Sequence, residues 1–204
     1  SAEFYQRGAD ELRATLSRHG LEVGGYSLFV GTIEPRKNIE TLLDAYSRLP
    51  IEIRKRWPLV LTGYHGWRNE SIHQRLDSAR REGWAYYLGF VPSEDLPLLF
   101  AGARLFTFPS LYEGFGLPVL EAMSSGVPVV CSNNSSLPEV AGAAALMCEA
   151  KDTETLTELI QHGLEDEAWR ASAVEKGLMH AARFSWERCA RETLEVYQKV
   201  VKGQ

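Results

Sequence analysis

The stretch Pro109–Pro128, PSLYEGFGLPVLEAMSSGVP, decides the fold. It follows a short apolar run, Leu105-Phe106-Thr107-Phe108, and leads into a second, Val127 to Cys131. Both runs read as buried strands, and between them lie a glycine-containing turn and a helix from about Pro118 that stops at Gly126. Proline suits the first helical turn, where its missing N–H has no partner in any case. Glycine suits the position just past the helix end, because it takes a left-handed backbone without strain.

The turn is the part that can hold a ligand. Glu113 stands before it and Glu121 in the helix behind it, with seven residues between. Gly114 and Gly116 remove two side chains, so a ligand can approach the backbone. The helix N-terminus adds unpaired N–H groups and a partial positive charge, an anion site. Phosphate on the N–H groups and sugar hydroxyls on the carboxylates would make a sugar-nucleotide pocket. Against this, strand–turn–helix units serve as plain connections in many α/β proteins, and two glutamates at this spacing are often surface charges. The stretch is not a dinucleotide fingerprint, since Val119 stands where that motif needs its third glycine.

Outward from this stretch the same alternation repeats. Residues 2–19 read as a helix ended by Gly20. Tyr26 to Val30 is a first strand, followed by a loop from Gly31 to Lys37. Asn38 then caps a helix whose Ile39, Leu42, Leu43 and Tyr46 follow the i, i+3, i+4, i+7 pattern. A short polar and basic segment precedes a strand at Leu59–Thr62. A helix from about Asn69 to Glu82 and a strand at Trp84–Leu88 come next. Ser93 caps a short helix, and beyond the central stretch a helix at Pro138 and a last strand at Ala144–Met147 are expected. Strands and helices alternate six times, which predicts a Rossmann-like parallel sheet of about six strands with helices on both faces. Ligands of such sheets bind at the carboxyl ends of the strands, where the loops at Gly31, Gly63, Gly89, Pro109 and Ser132 all lie. The tail reads as three helices opened by Asp152, near Asp166 and by Ser185. The last carries an apolar stripe from Trp186 to Val201, read chiefly as packing on its own domain.

Composition narrows the classes. A net charge of −5 argues against a nucleic-acid partner, which needs clustered Lys and Arg. No apolar run is long enough to span a bilayer, and the start shows no signal-peptide pattern. Cys131, Cys148 and Cys189 are far apart without metal-ligand spacing, and read as reduced thiols of a cytosolic protein. The five histidines show no metal spacing either. His65 reads as a lone solvated loop residue; Tyr64 and Trp67 either stack on a base or pack. Arg36 and Lys37, adjacent cations after the first strand, suit a diphosphate or are a solvated pair.

The Glu113–Glu121 stretch resembles the E-x7-E signature of the retaining glycosyltransferases of family 4, which have the GT-B fold. Val30 to Ile39 resembles the first strand–loop–helix of their donor-binding domain, Leu88-Gly89-Phe90-Val91 their base-contacting loop, and Ser185-Trp186 their closing element. The resemblance implies donor contacts from Gly31, Thr32, Phe90, Val91, Gly114, Phe115, Gly116 and Leu117. It puts Glu121 on the ribose hydroxyls, and Glu113, with Arg36 and Lys37, at the reacting sugar and diphosphate. The family's loop arginine maps to Thr32, a departure for which Arg36 can compensate from nearby. Glu139 reads as a structural cap. The resemblance also implies that the last helix crosses toward a partner domain.

The expectation is therefore a helical lead-in or linker over 1–20 and a nucleotide-sugar-binding domain over 21–204, one half of a GT-B fold. It would transfer a hexose to a glycan or lipid-linked hydroxyl, with no cofactor and no metal, and would need an N-terminal acceptor domain. The Gly31–Asn38 variant, GTIEPRKN, looks like bacterial polysaccharide mannosyltransferases, which implies GDP-mannose as donor. The expected place is the cytoplasm, with peripheral association at the inner membrane face as an option. A non-catalytic nucleotide-binding regulatory module and another GT-B enzyme, such as a sugar-nucleotide epimerase, are the competing readings.

Overall fold

A computed structural model describes residues 3–66 and 70–202 of the chain. Trp67 and Asn69, named above as a stacking candidate and a helix start, lie outside the described residues. Six parallel strands form one sheet: β1 (Ser27–Val30), β2 (Leu59–Thr62), β3 (Ala85–Tyr87), β4 (Leu105–Phe108), β5 (Val129–Ser132) and β6 (Ala145–Cys148). Their order is β3-β2-β1-β4-β5-β6. Strands β2, β4 and β5 are buried along their whole length, as continuous apolar runs must be when helices cover both faces.

The chain steps outward from β1 to β3, then returns across the sheet to β4. With right-handed crossovers the helices of the two halves fall on opposite faces. On one face α2 (Ile39–Arg48) packs with α4 (Glu70–Glu82) and α8 (Thr153–Glu165). On the other, α5 (Leu96–Gly102) and α6 (Leu117–Ser124) pack with α1 (Ala9–Arg18), α7 (Leu137–Ala141) and α9 (Glu167–Ala181). Phe29, Phe100, Phe106 and Phe108 stack in sequence through the core, with ring centroids 5.2–6.0 Å apart. The reversal of direction between β1 and β4 opens a crevice at the carboxyl edge of the sheet, which is where the loops of interest emerge.

Several local expectations are corrected. Helix α1 begins only at Ala9, because Gly8 is extended with ψ 151°. It is no free lead-in: Leu12 and Leu16 are buried in the same core, and Phe4 sets its ring edge-on to Phe100 at 5.3 Å. The polar segment before β2 contains a short helix, α3 (Ile51–Arg56), held by the single buried Ile53, too little periodicity to read. Ser93 lies in a turn, and α5 starts three residues later at Leu96. Helix α10 (Trp186–Lys202) does not pack on this domain: residues 186–201 are all exposed, Tyr197 at 65% and Val200 at 72%.

The caps of the tail helices form as their sequences imply. Asp166 Oδ1 accepts from Trp169 N at 2.8 Å at the start of α9. Asp166→Ala should cost about 1 kcal/mol in urea unfolding, the usual loss for a side-chain N-cap.

Candidate active site

The site is built from the loops that follow β1 and β4, neighbours across the switch point. After β1 the chain passes Gly31 and makes one 3-10 turn, Pro35–Lys37. Asn38 then takes a left-handed φ of 57°, and the chain enters α2. This kink sends the Lys37 side chain back across Gly31, where a Cβ would lie 3.2 Å from Lys37 Cε. Lys37 Nζ lies 4.7 Å from the centroid of the Phe108 ring and donates to Glu113 Oε1 at 2.7 Å. Arg36 donates to Glu113 Oε2 at 2.9 Å, to the Tyr112 carbonyl at 2.9 Å and to Glu34 Oε1 at 2.6 Å. Leu111 N–H closes the junction by donating to the Arg36 carbonyl at 2.9 Å.

The three charged groups therefore meet, although they come from residues 76 and 77 positions apart. Lys37 and Glu113 are 7% and 8% exposed, so their pairing is a desolvated one; Arg36 remains partly in solvent. Burial on its own pushes the Glu113 carboxyl up. The hydrogen bond from Lys37 and the charges of Lys37 and Arg36 outweigh it, and the carboxyl titrates below its ordinary value. Glu113 is thus ionised at neutral pH, with one cation on each oxygen.

Behind Glu113 the turn is held by the loop after β5, a role the sequence did not disclose. Glu113 N–H donates to Ser135 Oγ at 2.9 Å. Ser136 Oγ lies 3.0 Å from the Glu113 carbonyl and 2.8 Å from that of Phe115. Ser132 Oγ donates to the Ser110 carbonyl. The one available signal was the run of small polar residues from Ser132 to Ser136 at the ligand edge. Gly116 ends the turn at φ 106°, where a Cβ would meet Leu137 Cδ2 at 2.8 Å. Among the described residues the N–H groups of Phe115, Gly116 and Leu117 make no hydrogen bond, and they open onto the N-terminus of α6.

Glu121 differs from Glu113. It lies one helical turn beyond Leu117 on the same face of α6, half-buried. Burial pushes its carboxyl above the ordinary value, and among the described residues no side chain donates to it.

The other expected positions are distributed along the same edge. Thr32 lies against Gly66, whose added Cβ would come 3.0 Å from its methyl group. Phe90 is 59% exposed and pairs with Tyr64 at 5.0 Å, whereas the Val91 side chain is in the core. Gly114 is exposed at the tip of the turn. Two expectations fail. His65 is not alone: its ring stacks on that of His73 at 4.0 Å. Glu139 is exposed in the first turn of α7 and forms no cap bond among the described residues. Cys131 and Cys148 are buried free thiols, and burial pushes the first up to about 12. Among the described residues no three His, Cys, Asp or Glu are grouped to hold a metal ion, and no helix is long and apolar enough to cross a membrane.

The chain is 50% identical over 198 residues to O-antigen chain mannosyltransferase B of Escherichia coli, an alignment that covers 97% of this chain and 52% of the relative. The chain therefore spans about half the length of that protein. Its fold matches sucrose-phosphate synthase of Thermosynechococcus elongatus with a TM-score of 0.80 at 24% identity, over all of this chain and 51% of that one. It also matches the C-terminal domain of a group 1 glycosyl transferase of Francisella tularensis, with a TM-score of 0.74 at 19% identity, covering 89% of this chain and 95% of that domain. The architecture is that of one half of a GT-B enzyme. Residues 21–179 match the family model of the glycosyl transferases group 1, and the chain belongs to that family.

Proposed function

We propose that this chain is the donor-binding half of a retaining hexosyltransferase that takes mannose from GDP-mannose and passes it to a glycan or lipid-linked hydroxyl in O-antigen-type synthesis. The observation that carries the donor site is the contrast between its two glutamates. Glu113 is engaged by two cations, whereas Glu121 is half-buried and, among the described residues, no side chain donates to its carboxylate. A protein gains nothing in stability from a buried carboxylate without a donor, so such a group is a candidate for ligand contact. A ribose cis-diol supplies two donors to it. The free N–H groups at Phe115, Gly116 and Leu117 receive the diphosphate, and Gly31, Thr32 and Gly114 leave room for it. Phe90 and the Val91 backbone face the base. Lys37 and Arg36 turn their charge to the leaving diphosphate as it develops, and Glu113 holds them and accepts from a sugar hydroxyl. The mannose assignment is supported by the 50% identity to an O-antigen mannosyltransferase. The acceptor site belongs to an N-terminal domain, and the reaction takes place at the cytoplasmic face of the membrane without a metal.

Calorimetric titration of GDP, UDP, ADP and their sugar conjugates tests this. GDP-mannose should bind best, and Glu121→Ala should weaken it by about 1 kcal/mol or more, the scale of lost hydrogen bonds. The same variant should not lower the stability of the unliganded chain. A carboxyl raised in the folded state opposes folding once pH exceeds its unfolded value, and removing it relieves that cost at neutral pH. Equal binding by wild type and variant would sink the assignment of Glu121. Binding without transfer in the full-length protein would favour a regulatory module.

A further inference from the structure

Asn38 stands next to the cations but belongs to none of the contacts described so far. Its carboxamide is buried, the residue being 8% exposed. Nδ2 donates to the Pro109 carbonyl at 2.9 Å and to the Ala150 carbonyl at 2.5 Å. Oδ1 accepts from Thr41 Oγ1 at 2.7 Å. The sequence placed Asn38 as an ordinary N-cap, but its side chain makes no cap bond to α2. It reaches instead to the loops that follow β4 and β6.

Two constraints meet at this position. The backbone is left-handed, which ordinary side chains avoid and which Gly, Asn and Asp tolerate. The side chain must offer two donors to two buried carbonyls and one acceptor to a hydroxyl. Glycine satisfies the first constraint and not the second. Aspartate satisfies the first and, when ionised, has no donor at all. Asparagine meets both. Together with the Leu111 N–H to Arg36 carbonyl bond, the link to Pro109 ties the cation loop to the segment that leads into Glu113 at two points besides the ion pairs.

We propose that Asn38 is the positioning residue of this site: by bridging the Pro109 and Ala150 carbonyls it fixes the loop after β1 so that Lys37 and Arg36 face Glu113 and the donor diphosphate. The part that concerns the donor rests on the function proposed above. The part that concerns the ion pairs does not.

The test uses the full-length protein with three variants. Asn38→Gly keeps the left-handed backbone and removes the carboxamide. Asn38→Asp keeps the size and the acceptor and removes the donors. Thr41→Val removes only the partner of Oδ1. Two quantities are measured alongside thermal unfolding: calorimetric binding of GDP-mannose, and the carboxyl titration of Glu113 followed by NMR. Asn38→Gly and Asn38→Asp should each weaken donor binding by about tenfold, the scale of two lost hydrogen bonds. They should also let the Glu113 titration rise toward its ordinary value as Lys37 becomes less well held, and Thr41→Val should leave both readouts near wild type. If Asn38→Gly is folded, binds as wild type does and leaves the Glu113 titration in place, Asn38 serves only its backbone conformation and the proposal is overturned. If the wild type binds no nucleotide sugar, the donor reading fails, while the Glu113 titration still decides the role of Asn38.

Discussion

Glu113→Ala should lower the stability of the chain by about 3–5 kcal/mol at neutral pH, the cost of removing one partner of a buried ion pair. The loss falls on Lys37. Its ammonium is buried, lies 2.7 Å from Glu113 Oε1, and has no other carboxylate within hydrogen-bonding distance among the described residues. Arg36 suffers less, because it is partly solvated and keeps Glu34 and the Tyr112 carbonyl. The pH dependence has a definite sign. The Glu113 carboxyl titrates below its unfolded value, so its contribution is present above the ordinary carboxylate range and is lost as pH falls through the folded pKa. Urea unfolding at a series of pH values should show the gap between wild type and variant close on the acid side. A double variant, Lys37→Met with Glu113→Leu, buries no unpaired charge and should regain most of the stability without regaining donor binding. Such a result separates the role of the pair in the fold from its role in the chemistry. A single-variant loss below about 1 kcal/mol, the range of exposed pairs, would mean that the pair is solvated in solution.

Gly63→Ala is expected to cost about 3 kcal/mol or more, from two additive causes, backbone strain and overpacking. The backbone at Gly63 has φ +145°, and a Cβ there would lie 2.1 Å from the Gly31 carbonyl oxygen and 2.5 Å from its carbon. Both atoms are main chain, so no side-chain rotation relieves the clash. The loop after β1 must move, and with it Lys37 and Arg36. Donor binding should therefore fall together with stability. Gly89→Ala supplies the control. Its φ is +71° but nothing lies within 4 Å of the added Cβ, so it should cost only the conformational strain of about 1–2 kcal/mol. Equal midpoints for the two variants in thermal unfolding would show that the β1 and β2 loops are not in contact as described.

The strands and most helices were legible in the sequence because the signals are local. Apolar runs at Leu59, Leu105 and Val129 are bounded by Gly, Pro or Asp/Asn punctuation, and a parallel sheet needs little more. The short α3 was missed because it buries one residue. Asp152 and Asp166 were read as helix openings because cap chemistry depends only on residues three positions away. Asn38 carries the same residue type at the same kind of position, yet its left-handed backbone turns the carboxamide away from α2 toward carbonyls 71 and 112 positions distant. No local pattern encodes that.

The exposed stripe of α10 shows the same limit from the other side. Its period reveals that one face needs apolar cover, but whether a partner surface lies within reach depends on the space left by the other helices. The sequence by itself determined that strands and helices alternate, that glycines and a helix N-terminus mark the carboxyl edge, and which acids and bases stand near it. Only the tertiary structure decided that β1 lies beside β4. That adjacency joins two basic residues to a distant glutamate, takes the Lys37–Glu113 pair out of water and leaves Glu121 with no side-chain donor among the described residues. Strand order is set by crossovers spanning the whole domain, and it is the burial of the assembled sheet, not any stretch of chain, that strengthens charge pairing across the crevice.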